Sequence, residues 1–191
     1  MSSYAAVNIL DLEEIGESAK DILSDFFCPK NLEVEKFIRR DALGFAKKKL
    51  SVTYLVMDEE DGRLVAIFTL THKAIQLSAD CFSKTAKKKI ERYAKLDQGT
   101  GFYTLSAFLI AQFGKNAKYE KQFTGDELMR ITMEVLEKAQ RMVGGGIVYL
   151  ECEDKEKLLE FYTNEQNRFV IFGERISDIE KVKYIRLMRI F

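Results

Sequence analysis

Two glutamates close an apolar run, Ile147-Val148-Tyr149-Leu150-Glu151-Cys152-Glu153. The two-residue period of an extended chain puts Glu151 and Glu153 on one face, where a carboxylate could take a proton from a reacting group directly or through water. The competing reading is a pair of solvated charges at a strand end. A second stretch, Lys121-Gln122-Phe123-Thr124-Gly125-Asp126, stands between a long apolar run and an amphipathic one. A helix that opens there aims backbone N–H groups and the positive end of its dipole at an anion, with Lys121 adding charge. The alternative is an ordinary helix start capped by Thr124 or Asp126. A third signal is basic. Lys73, Lys84, Lys87, Lys88, Lys89, Arg92 and Lys95 face only Asp80 and Glu91 between residues 73 and 95. Such a run is either a solvated helix face or a surface that draws anions, RNA or an acidic peptide among them.

Other chemistries are disfavoured. Cys28, Cys81 and Cys152 are three and widely spaced, with His72 the one histidine, so neither a disulfide scaffold nor a metal site is expected. His72 lies in a strand pattern and receives no role. Thirty basic residues balance thirty acidic ones, so no global field draws the chain to nucleic acid or an anionic membrane, and any such binding must be local. No apolar stretch reaches the roughly 20 residues of a membrane span, and no basic segment followed by an apolar one opens the chain, so a cytoplasmic protein is expected. At 191 residues, 47% hydrophobic and with a single proline, residues 1–191 are expected to form one domain.

These residues must be held by elements that the periodicity outlines. A short strand is expected at Ala5 to Leu10, then amphipathic helices near Glu17–Phe27 and Asn31–Lys49, the second capped by Asn31. Ser51–Asp58 and Leu64–Ile75 flank an Asp-Gly turn and predict an antiparallel hairpin. Residues 76–100 are polar, with helical character around Ser83–Lys95, and Phe102–Phe113 predicts a long central strand. Leu128, Ile131, Val135, Leu136, Ala139 and Met142 recur at helical spacing and stop at Gly144-Gly145-Gly146. Ile147–Cys152 predicts a strand, Asp154–Tyr162 a short helix, and Phe169–Phe172 and Val182–Ile190 two closing strands.

That order, with the segment from Phe102 to Arg175, resembles the GNAT superfamily of N-acetyltransferases. Leu128 and Gly125 match the leucine and last glycine of the family's Gln/Arg-x-x-Gly-x-Gly/Ala loop, while Glu120 and Phe123 replace its first residue and first glycine. The run Tyr149-Leu150-Glu151-Cys152-Glu153-Asp154 through Phe161-Tyr162 is similar to bacterial members. After it, Thr163–Arg168 is longer than the family's loop and lacks its glycine.

The resemblance implies an α/β fold with a mixed, mostly antiparallel sheet flanked by helices, with a cofactor-binding core over about 102–175 and an insertion at 76–100. It implies acetyl-CoA as cofactor and direct transfer of acetyl to an amine of a small molecule, protein or peptide. Lys121, Gln122, Phe123, Thr124, Gly125 and Asp126 would cradle the pyrophosphate. Phe113, Gly114 and Lys115 would pair with the pantetheine arm; Gly114 would mark a bulge or close approach there, or merely a flexible strand end. The basic run could meet the cofactor's own phosphates. Tyr162 matches the tyrosine that faces the cofactor sulfur, although a ring packed beside Phe161 would look the same in sequence. Reference pKa values of about 10 and 8.5 make full proton transfer from tyrosine to a thiolate uphill by roughly 2 kcal/mol, which favours a hydrogen-bond donor. Toxin-like acetylation of charged tRNA is the alternative that neutrality disfavours, and a non-catalytic coenzyme A-binding module is another. A homodimer is compatible with the sequence.

Overall fold

A computed structural model of the chain describes residues 4–12, 17–177 and 181–191. Among the described residues the fold is α/β, with a mostly antiparallel sheet of eight strands flanked by helices. The chain gathers into two compact units, one of residues 1–71 and 110–139, the other of residues 72–109 and 140–191. Three elements are shared between them: β3 (Leu64–Ser78), β5 (Phe102–Lys115) and the helix α5 (Gly125–Val143).

In the first unit β1 (Tyr4–Asn8), β2 (Val52–Asp58), β3 and β5 lie side by side. β2 and β3 form the expected hairpin, antiparallel from Val52↔Leu70 to Val56↔Ala66. The helices α1 (Glu17–Ser24), α2 (Leu32–Arg40) and α3 (Ala42–Lys47) supply Leu23, Val34, Ile38, Ala42 and Ala46 to one core with Ile9, Leu55 and Ile67. The single helix expected over Asn31–Lys49 is broken at Asp41, whose N–H closes α2 on the Phe37 carbonyl. Asn31 caps α2 as expected, accepting from the N–H groups of Glu33 and Val34. A second core joins Val56, Val65, Ala66 and Phe68 to Phe123, Leu128 and Ile131 from the loop before α5 and from α5 itself.

In the second unit the order is β3, β5, β6 (Ile147–Glu153), β8 (Lys183–Ile190) and β7 (Val170–Ile176), with the two-residue β4 (Leu96–Asp97) on β5. β6 and β7 both pair antiparallel with β8. The helical segment expected at Ser83–Lys95 shortens to α4 (Lys84–Ile90), with Ser83 as its cap, and further on Asp97 accepts from the N–H groups of Gly99 and Thr100 where the chain turns into β5. The glycine stop holds for two reasons. Gly144 and Gly145 have φ of 77° and 97°, a region that side chains resist, and a Cβ on Gly146 would fall within 1.9 Å of the Tyr93 ring.

Candidate functional site

The residues singled out in the sequence fall into two groups, one in each unit. The first group runs from the end of β5 to the start of α5. β5 continues past Phe113 to Lys115, and Asn116, fully buried, anchors the chain after it. Its side-chain amide donates to the Leu64 carbonyl at 2.9 Å, and its oxygen accepts from the N–H groups of Phe27 and Lys118. Sequence reasoning passed over Asn116, because a lone asparagine near a strand end looks like a turn residue.

The close approach expected at Gly114 is real, but the neighbour is protein. A Cβ there would lie 3.0 Å from Val34 and 3.7 Å from Cys28 and Phe26. Lys115 folds its ammonium onto the carbonyls of Phe123 at 2.9 Å and Glu120 at 3.3 Å. Lys30 bonds to the Glu120 carboxylate at 2.5 Å and holds it below the usual glutamate range. Phe123, at the position of the family's first loop glycine, is fully buried and stacks edge-on against Tyr4, 4.7 Å between centroids. Its ring therefore faces the core and only its backbone is left for a ligand. Gln122 presents its carbonyl to the Tyr4 hydroxyl at 3.1 Å. Lys121 is exposed.

The start of α5 is a reciprocal capping box. The Thr124 hydroxyl accepts from the Glu127 N–H at 3.1 Å, and the Glu127 carboxylate accepts from the Thr124 N–H and hydroxyl, both at 2.8 Å. Helix-start capping by Thr124 is thus present, and it places a carboxylate where an anion site would want none. Gly125 and Asp126 follow as the first two helical residues, whose N–H groups have no partner within a helix, and one Asp126 carboxylate oxygen is buried without a hydrogen bond among the described residues.

The second group lies on β6, on α6 (Glu156–Thr163) and in the loop after it. Tyr162 is 7% exposed, edge-on to Phe161 at 5.0 Å and Phe169 at 6.0 Å. Its backbone carbonyl accepts from the Phe169 N–H at 3.0 Å, which folds the Thr163–Arg168 loop back onto the helix. Asn167, buried, donates its amide to the Phe161 carbonyl at 2.7 Å and so braces the loop with its side chain. Arg168 takes the left-handed backbone conformation, φ 56°, that a glycine would adopt freely. Burial, and then the nearby Cys152, push the Tyr162 phenol far above the usual tyrosine range. A phenol so placed keeps its proton. Burial, with Asp154 and Glu153 next, pushes the Cys152 thiol up to about 11, which makes it a poor nucleophile.

The two candidate proton acceptors are both paired. Glu151 is held by Arg175 at 2.5 Å and Arg186 at 3.4 Å, and Glu153 by Lys155 at 2.5 Å. His72 shares a hydrogen bond with the Ser106 hydroxyl at 3.0 Å and sets its ring edge on Phe108.

Neither a protein-family model nor a curated protein sequence matches the chain. Solved structures do match in fold. A bacterial toxin superposes at TM-score 0.66 and 16% identity over 100% of this chain and 92% of its own. AtaT in complex with acetyl-methionyl-tRNAfMet gives TM-score 0.66 and 14% identity, covering 95% of this chain and 94% of its own. A tyrosine-to-phenylalanine variant of the AtaT toxin, bound to the C-terminus of the antitoxin AtaR and acetyl-CoA, gives TM-score 0.58 and 14% identity over 99% and 92%. The likeness spans almost the whole of each chain, and at these identities it establishes a shared fold.

Proposed function

We propose that this chain is an acetyl-CoA-dependent N-acetyltransferase whose acceptor is the α-amino group of an aminoacyl-tRNA. The observation that carries the reading is the fold match over nearly full length to a protein solved with acetyl-methionyl-tRNAfMet, joined to a buried, proton-retaining Tyr162 at the family's tyrosine position. A related protein was solved with acetyl-CoA and with a tyrosine replaced by phenylalanine, which fits a cofactor-dependent reaction. The overall neutrality that argued against nucleic acid hides a segregation of charge: the second unit has 16 Lys and Arg against 12 Asp and Glu, and the first has 14 against 18.

Coenzyme A supplies an activated acetyl thioester when bound. The N–H groups of Gly125 and Asp126 and the exposed Lys121 are the groups left for its pyrophosphate, and the backbone of Phe113 to Lys115 would receive its pantetheine arm. Tyr162 would donate a hydrogen bond to negative charge growing on the departing sulfur. An α-amino group, with a reference pKa of about 7.7–8.0, has roughly a quarter of its molecules neutral at physiological pH against about one in a thousand for a lysine, so the reaction depends less on a strong base than it would for a lysine. That is consistent with Glu151 and Glu153 being tied up in ion pairs.

A second reading, a coenzyme A-binding module without turnover, draws on the Glu127 carboxylate at the α5 start. The two separate in one assay that counts free thiol released from acetyl-CoA with charged tRNA, uncharged tRNA, free amino acids and peptides as acceptors. The proposal expects release with charged tRNA alone. Release with none of these, alongside calorimetric binding of acetyl-CoA, supports the second reading.

A further inference from the structure

In the second unit the end of β3 and the beginning of β5 form a sheet segment with one face open. The Ala79 N–H donates to the Gly101 carbonyl at 3.0 Å, and His72 meets Ser106 at 3.0 Å, so the two strands run antiparallel between these points. Ile75, Leu77, Tyr103, Leu105 and Ala107 are buried in a core with Ile90 of α4. The alternate residues His72, Ala74, Gln76, Phe102, Thr104 and Ser106 are all exposed. The open face is therefore one phenyl ring, one imidazole, two hydroxyls, an amide and a methyl. Phe102 is 38% exposed although it is a large apolar side chain in a strand. The Tyr103 beside it is fully buried with its hydroxyl on Glu91.

This segment belongs to the most basic part of the chain. Residues 72–109 contain seven Lys and Arg against three Asp and Glu, whereas residues 140–191 contain nine of each. The positive excess of the unit thus lies with the two strands and α4. A face with little contiguous apolar area is a poor core for a protein interface. A sheet that carries aromatic rings beside hydroxyl and amide groups, inside a positive field, is what single-stranded RNA binds: bases stack on the rings, and polar groups reach base edges and 2′-hydroxyls. Phe102 and Ser106 are four residues apart, about 13 Å along a strand, which is room for two or three bases.

We propose that the face formed by His72, Gln76, Phe102, Thr104 and Ser106 is a docking surface for single-stranded RNA, with Phe102 as the stacking platform. It rests on the reading of a tRNA acceptor and assigns this face to the unpaired 3′ end.

The test is fluorescence anisotropy of the full chain with a 5′-labelled 12-nucleotide single-stranded RNA ending in CCA, without acetyl-CoA. The expected results are preference for the single strand over its duplex by at least about tenfold, loss of about 5- to 100-fold on Phe102→Ala, and recovery to within about twofold on Phe102→Tyr. Replacing Lys87, Lys88 and Lys89 with Gln should flatten the slope of log Kd against log salt by about two while the single-strand preference persists. Equal binding of parent and Phe102→Ala, or equal binding of duplex, overturns the proposal and leaves only a diffuse positive field. A concentration-dependent elution volume that Phe102→Ala abolishes, with RNA binding intact, also overturns it, in favour of a second copy on this face. Because no cofactor is present, the outcome does not depend on whether acetyl transfer occurs: transfer to charged tRNA that Phe102→Ala leaves unchanged, with its KM, removes the docking surface and keeps the proposed function.

Discussion

The start of α5 in the first unit and the Tyr162 region in the second both depart from the sequence pattern of the family they resemble, and they do so with different consequences. At the start of α5 the departure is filled from within: Phe123 plugs the core where a glycine is usual, Glu127 takes the Thr124 N–H, and Lys115 turns back onto two carbonyls. Around Tyr162 the departure is braced: Asn167 and the left-handed Arg168 rebuild the loop and leave the tyrosine buried in an aromatic cage. A signature position lost to core packing changes what the backbone can offer a ligand. A loop that is longer but braced keeps the neighbouring tyrosine packed between Phe161 and Phe169.

The largest effect should come from the plug. Phe123→Ala removes a fully buried ring from the core it shares with Tyr4, Val65 and Leu128 and should cost about 3–5 kcal/mol of stability, seen as a lowered denaturant midpoint. A loss under about 1 kcal/mol would mean that the loop is not anchored by this side chain and that the contrast between the two regions fails.

Tyr162→Phe comes next. It keeps the ring contacts with Phe161 and Phe169 and removes only the hydroxyl, so turnover on charged tRNA should fall about 10²–10³-fold while acetyl-CoA affinity and the melting temperature change little. Equal losses in affinity and turnover would make the tyrosine a structural residue.

The dependence on pH sharpens the same point. The acceptor amine loses its proton near its reference pKa of about 7.7–8.0, so kcat/KM should rise through that range. Burial raises the Tyr162 pKa, so its protonated form persists as pH rises through the ordinary tyrosine value, and no descending limb should appear up to about pH 9.5. A bell-shaped profile falling near pH 9 would assign the donor to another group.

Much of this was legible in the sequence, and the failures have identifiable causes. The hairpin, the long β5, the α5 stripe and the glycine stop follow from period and turn chemistry, which act locally. The break at Asp41 has no glycine or proline to announce it; Val34 and Ile38 before it and Ala42 and Ala46 after it are buried in the same core, and tertiary packing divides what periodicity joins. Gly114 read as a candidate cofactor contact because close approach is visible in sequence and the identity of the neighbour, here Val34, is not. Glu151 and Glu153 share a face as the strand period requires, but the arginines that hold Glu151 come from β7 and β8, 24 and 35 residues away in the chain.

The smallest effect tests the α5 start. Glu127→Gln keeps a cap acceptor for Thr124 and removes a negative charge beside the Gly125 and Asp126 N–H groups. If the cofactor's pyrophosphate sits there, acetyl-CoA should bind about two- to fivefold more tightly, the range a single charge at a helix end commands. Unchanged affinity, measured by calorimetry at low salt, would place the pyrophosphate elsewhere.

The proposed acetyl transfer is tested most directly by mass spectrometry of the terminal aminoacyl-adenosine. The full chain is incubated with acetyl-CoA and a mixture of charged tRNAs, and the RNA is then digested with ribonuclease. The account predicts one acetyl group on the α-nitrogen of at least one amino acid, absent when Tyr162→Phe replaces the parent at matched time. Aminoacyl-adenosines that stay unmodified for every amino acid, while acetyl-CoA is bound, would contradict it.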